Sequence, residues 1–82
     1  MAHRHPQLVL VGKRIRAART SQGMSQEALA DLLDLDRAYV GRIERGEANI
    51  GLLNLLRIAF KLNVGADELL PSLKELGSIS KS

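Results

Sequence analysis

Three arginines stand within one short run, Arg37-Ala38-Tyr39-Val40-Gly41-Arg42-Ile43-Glu44-Arg45-Gly46. A guanidinium is always charged and carries its N–H donors in a flat fork. It therefore suits phosphate oxygens, and equally the paired O6 and N7 acceptors of guanine. If the run is helical, only Val40 and Ile43, three positions apart, supply a buried side. Arg37, Ala38, Tyr39, Gly41, Arg42 and Arg45 are left as a polar, basic outer face. Arg37 and Arg42 are separated by a rotation of about 500° at ~100° per residue, so their side chains diverge by about 140°. A helix held down at two positions and basic elsewhere suits the groove of a polyanion.

Other chemistries find little support. The chain has no cysteine, which excludes disulfides and thiolate zinc sites and fits a reducing compartment. Its two histidines, His3 and His5, lie in an aperiodic N-terminal stretch with no third ligand nearby, so no metal is expected. There is no Ser-His-Asp constellation and no Gly-rich phosphate loop. No catalytic residue, cofactor or small-molecule ligand is therefore expected, and an enzyme is disfavoured. The apolar run Gln7-Leu8-Val9-Leu10-Val11 is too brief for a signal peptide or a membrane span, so a soluble, cytoplasmic protein is expected. Tyr39 and Phe60 are the only aromatic residues, too few for a protein that stacks unpaired RNA bases.

The charge balance agrees with a polyanionic partner. The formal net charge is +3, and its distribution is uneven. Residues 1–45 hold eight Lys or Arg against five Asp or Glu, whereas residues 46–82 hold four of each. The basic excess falls in the half that contains the arginine run, which favours a polyanionic partner, although exposed helices also carry such charge merely for solubility.

These arginines must be carried by helices. The chain has 82 residues, enough for one domain, and its core must come from Leu, Ile, Val and Ala. Leu8, Val11, Ile15 and Ala18 predict a first helix from Leu8 to Ser21, ended at Gly23. Ser25 is a good N-cap for a second helix that buries Ala28, Leu29, Leu32 and Leu33. Asp36 is a second such cap, eleven residues on, for a third helix from Arg37 to Arg45. Two short helices joined by the Leu33-Asp34-Leu35 connector describe a helix-turn-helix. A fourth helix over 51–62 gathers Leu52, Leu55, Leu56, Ile58, Ala59 and Leu62 and reads as the central core helix. A short fifth spans 66–70, after which Pro71 either breaks it or opens one more turn with Leu73 and Leu76. The expected organisation is a flexible arm over 1–7, one domain over 8–76 and a flexible tail over 77–82. Within the arm, Arg4 is either a phosphate or minor-groove contact or part of a solvated terminus.

The stretch from Gly12 to Leu70 resembles the lambda-repressor-like, Cro and XRE-type helix-turn-helix regulators. The resemblance rests on Gly12-Lys13-Arg14-Ile15-Arg16, on Arg19, on Gly23-Met24-Ser25-Gln26-Glu27-Ala28-Leu29-Ala30 and on Asp36 to Gly46. It continues through Leu55 to Ala59 and Val64 to Leu70. It implies an all-α, compact five-helix domain with the helix-turn-helix at helices 2 and 3, and a sequence-specific transcriptional regulator. Two positions depart from the pattern: Asp34 stands where the turn usually has Gly, and Gly41 lies mid-helix, either allowing close DNA approach or simply tolerated.

The resemblance also implies roles. Arg37, Ala38 and Arg42 fall at base-contacting positions, with Ala38 facing a thymine methyl. Gln26 falls where the family holds a phosphate. Tyr39, Arg45, Asn49 and the Gly51 helix start are further phosphate candidates, Tyr39 being alternatively a half-buried strut. Arg19 and Glu44 match a pair that bridges the first and third helices as a structural salt bridge. A homodimer on a dyad operator is expected, joined through the apolar parts of the fourth and fifth helices, with Leu69, Leu70 and Leu73 as the leading candidates. The short length and the Arg37–Gly46 run further resemble stand-alone controllers of restriction-modification systems. The alternative from another class is an antitoxin-type module that binds a toxin as well as DNA.

Overall fold

A computed structural model describes residues 5–79. They form α1 (Pro6–Ser21), α2 (Gln26–Leu33), α3 (Arg37–Glu44), α4 (Leu52–Leu62), α5 (Ala66–Leu69) and α6 (Leu73–Ile79), with no strand among them. The all-helical class and the helix-turn-helix at α2 and α3 are as expected, and a short sixth helix is added. His3 and Arg4 lie outside the described residues.

Each boundary has a local cause. α1 begins two residues earlier than its apolar period suggests, because Pro6 occupies the first helical position, where its fixed φ helps and its missing N–H costs nothing. Pro6 and Gln7 thus belong to the helix rather than to an arm, and exposed His5 is its N-cap. Ser25 caps α2, its hydroxyl accepting from the Ala28 amide at 3.0 Å. Asp34 ends that helix in the left-handed region, φ 56° and ψ 44°, the conformation that most families reserve for Gly at such a turn. Asp36 occupies the N-cap of α3 but makes no side-chain cap; its carbonyl instead accepts from Tyr39 and Val40. Leu70 is extended, as expected before proline, so α5 stops at Leu69. Past Pro71 a reciprocal Ser72–Glu75 capping box starts α6. That helix reaches Ile79, so residues 77–79 are helical rather than tail.

The core is aliphatic. Ile15 of α1, Leu29 and Leu33 of α2, Val40 of α3, Ile58 and Leu62 of α4 and Leu69 of α5 are almost wholly buried. Ala30 is buried with Val40, which lets α2 and α3 lie close. Gly12 does the same for α1 and α3. A Cβ there would fall 2.5 Å from the Ile43 and Glu44 carbonyl oxygens, so only glycine permits the approach.

α4 departs from its expected role. Leu55, Ile58, Ala59 and Leu62 are buried, but Leu52, Leu53, Leu56 and Phe60 are exposed. Leu52 and Leu56 were expected inside; the helix instead has two apolar faces, and the core needs only one. Leu32, expected in the buried face of α2, is likewise 45% exposed.

Candidate nucleic-acid interface

α3 is anchored from beneath. Val40 and Ile43 are each 2% exposed, while Arg37, Ala38 and Arg42 are exposed. The three residues expected to touch bases therefore share the outer surface of one helix. The Arg42 side chain makes no hydrogen bond or ion pair to any described residue, while its carbonyl accepts from the Glu47 amide at 2.9 Å.

Arg37 is held differently. Its Nη1 donates to Oε1 of Gln26 at 3.2 Å. Gln26 Nε2 in turn donates to Oε1 of Glu44 at 2.9 Å. Chemistry fixes this orientation, because a carboxylate only accepts and a guanidinium only donates. Gln26 is half-buried at the first position of α2, so one side chain links the start of α2 to both ends of α3.

Glu44 is the hub of this layer. Its carboxylate takes a bidentate fork from Arg19, with Nε to Oε2 at 2.6 Å and Nη2 to Oε1 at 2.9 Å. The side chains are 9% and 2% exposed, so the pair is buried. The bond to Glu44 holds the Arg19 proton more firmly than in free arginine, against the opposing effect of burial. Arg19 also donates through Nη1 to the Met24 carbonyl at 2.8 Å. The arrangement joins α1, the loop before α2, and α3.

The remaining phosphate candidates lie toward the end of α3. Arg45 is its C-cap, with a side chain 56% exposed and paired to Glu47 at 3.1 Å. Tyr39 is half-buried against the core, and its hydroxyl donates to the Asn49 carbonyl at 3.4 Å. Asn49 is exposed; its Oδ1 accepts from the Gly51 amide at 3.2 Å and so shapes the approach to α4.

One residue of the expected subunit contact needs correction. Leu69 is 1% exposed and packs in the core, so its side chain cannot meet a partner. Leu70 is 43% exposed, and the Leu73 side chain lies outside the described set. The larger exposed apolar surface belongs to α4, where Leu52, Leu53 and Phe60 are 69%, 77% and 80% exposed.

Two contacts had no sequence signal. Arg14 Nη2 meets both Glu75 oxygens at 2.6 Å, and its Nη1 donates to the Leu70 carbonyl, latching the C-terminal helix to α1. Arg57 similarly donates to the Leu33 carbonyl at the end of α2. Both join residues at least 24 positions apart, beyond any local pattern. Among the described residues no group of His, Cys, Asp or Glu could hold a metal, and no helix is long and apolar enough to cross a membrane.

Comparison with known proteins gives a consistent picture. The helix-turn-helix family HTH_3 matches residues 15–69. Control protein C.BamHI of Bacillus amyloliquefaciens is 43% identical over 63 residues, covering 76% of this chain and 78% of that protein. Control protein C.SmaI of Serratia marcescens is 36% identical over 61 residues, covering 74% and 73%. Among solved structures, the restriction-modification controller C.AhdI from Aeromonas hydrophila superposes with a TM-score of 0.73 at 49% identity. That match covers 77% of this chain and 96% of the controller.

Proposed function

Because the chain belongs to the helix-turn-helix family of DNA-binding transcriptional regulators, we propose that it binds a dyad operator in double-stranded DNA as a homodimer, reading the major groove with α3. One observation carries the reading: Arg37, Ala38 and Arg42 share the exposed side of a helix whose other side is locked into the core. Arg37 and Arg42 supply base selectivity through guanine, and Ala38 through a thymine methyl. Gln26, Arg45 and Asn49 contact phosphates and supply most of the affinity and its salt dependence.

The second copy docks through α4. Leu52, Leu53, Leu56 and Phe60 lie within an arc of about 100° on that helix, a continuous apolar stripe. Two α3 helices related by a two-fold axis must sit ~34 Å apart to enter successive major grooves. No effector pocket enters this scheme. Regulation comes from protein concentration, through dimerisation and operator occupancy, with the protein acting in the cytoplasm and catalysing nothing. Similarity to two proteins named as control proteins and to a solved restriction-modification controller supports a controller role of that kind.

Selection of bound duplexes from a random pool, followed by footprinting, tests the reading. The expected outcome is a two-fold symmetric site with half-sites about one helical turn apart. Enrichment of no sequence, or a stable complex with a protein partner in place of DNA, would overturn it.

A further inference from the structure

Gly41 sits in the middle of α3 and is buried, although glycine weakens a helix interior. The space above it is occupied by polar groups. A Cβ at this position would lie 3.1 Å from Nη1 of Arg45, and 3.7 and 3.8 Å from Oε1 and Nε2 of Gln26. Two side chains from two helices thus converge over one stretch of bare backbone. We propose that Gly41 is a positioning residue: its missing side chain lets the Arg45 guanidinium and the Gln26 amide close over α3 and grip one phosphate of the duplex between them. This rests on the DNA-binding reading and deepens it by naming what shapes the phosphate site.

The donors fit that ligand. Gln26 Nε2 carries two hydrogens, of which Glu44 takes one at 2.9 Å, so the second is available to an anion. The Arg45 side chain is 56% exposed, whereas its partner Glu47 is only 20% exposed, so the guanidinium has an open side from which to reach a phosphate while it stays paired to Glu47. The buried Arg19–Glu44 pair beneath holds the Gln26 amide in place.

Gly41→Ala separates this role from mere tolerance of a glycine. The backbone is not in the left-handed region, and the tight neighbour is the tip of a flexible arginine, which can swing aside. Alanine therefore favours the helix while pushing Arg45 away from Gln26. The full chain carrying Gly41→Ala is expected to melt at or above the wild-type temperature. Its affinity for preferred and unrelated duplexes should fall by a similar factor, roughly three- to tenfold, and the slope of log affinity against log salt should drop by about one phosphate contact. On an Arg45→Ala background the same change should add little, and Gln26→Ala with Arg45→Ala should lose less than the sum of the single variants.

Wild-type affinity and slope in Gly41→Ala, or fully additive losses in both double variants, would overturn the proposal. A loss confined to one base-pair position would also overturn it, because Gly41 would then lie beneath a base. Failure of the wild-type chain to bind any duplex in a salt-dependent way would instead remove the DNA-binding reading, and this inference with it.

Discussion

At the scale of residues, the polar layer divides into groups turned outward and groups holding one another. Arg42 belongs to the first. Arg42→Ala is expected to cost about 1–3 kcal/mol on the preferred duplex and to relax one base position, as read by competition among duplexes varied base by base. Equal loss on random DNA would show that it contacts only phosphate. Gln26→Ala should instead weaken all sequences alike. Arg19 and Glu44 belong to the second group. Glu44→Ala strands a buried guanidinium and should cost about 3–5 kcal/mol in urea unfolding, whereas Arg19→Met with Glu44→Leu should recover most of that loss. A double variant as unstable as the single one would mean that the ion pair itself contributes much of the stability. The exposed arginines were legible because two apolar positions sufficed to orient the helix. The Gln26–Glu44 bond was not, since it joins residues 18 apart whose meeting depends on how α2 crosses α3.

At the scale of elements, α2 and α3 were legible because caps and periods agreed, and even Asp34 took the left-handed turn that its place suggested. α1 was shortened in the reading because a proline near a chain end looks like loop until its role at a helix start is considered. α6 was harder still, since Pro71 permits either outcome and a contact 61 residues away holds the helix in place. That contact has a pH signature. The Ser72 amide, first, and the Arg14 guanidinium, second, hold the Glu75 carboxyl below the usual glutamate range. The folded state then binds fewer protons than the unfolded chain as this group titrates, so stability rises with pH through that window. The contribution is complete above the ordinary glutamate range and is lost as pH falls through the depressed value. Thermal melts should accordingly separate wild type from Glu75→Gln at about pH 7 and bring them together once the pH has fallen below the depressed value. A difference that persists in acid would assign the latch to something other than the carboxylate charge.

At the scale of the whole molecule, the decisive feature is an apolar face that the monomer leaves uncovered. Periodicity could not separate it from the core, because α4 carries leucines and other apolar side chains on both sides. Fully burying a side chain of this size is worth roughly 1.5–3 kcal/mol. Leu56 is already more than half covered in the monomer, so the four contribute less than that full figure each, and their burial on both copies goes toward offsetting an association cost of ~4–15 kcal/mol. In the proposed dimer, a closed two-fold contact would let one small domain address a dyad site, each copy contributing one reading helix. Leu53→Glu with Phe60→Glu places like charges against each other across that seam without touching the core, where neither side chain lies. The variant should keep its helical content but sediment at half the wild-type mass at micromolar concentration. Its affinity for the full dyad should fall by a factor of about 100 or more while single half-site binding stays nearly unchanged, since linkage of two sites, not contact with DNA, is what has been lost. If the variant remains dimeric, the seam lies elsewhere. If the wild type is monomeric while binding a dyad with full affinity, two-fold association plays no part in recognition.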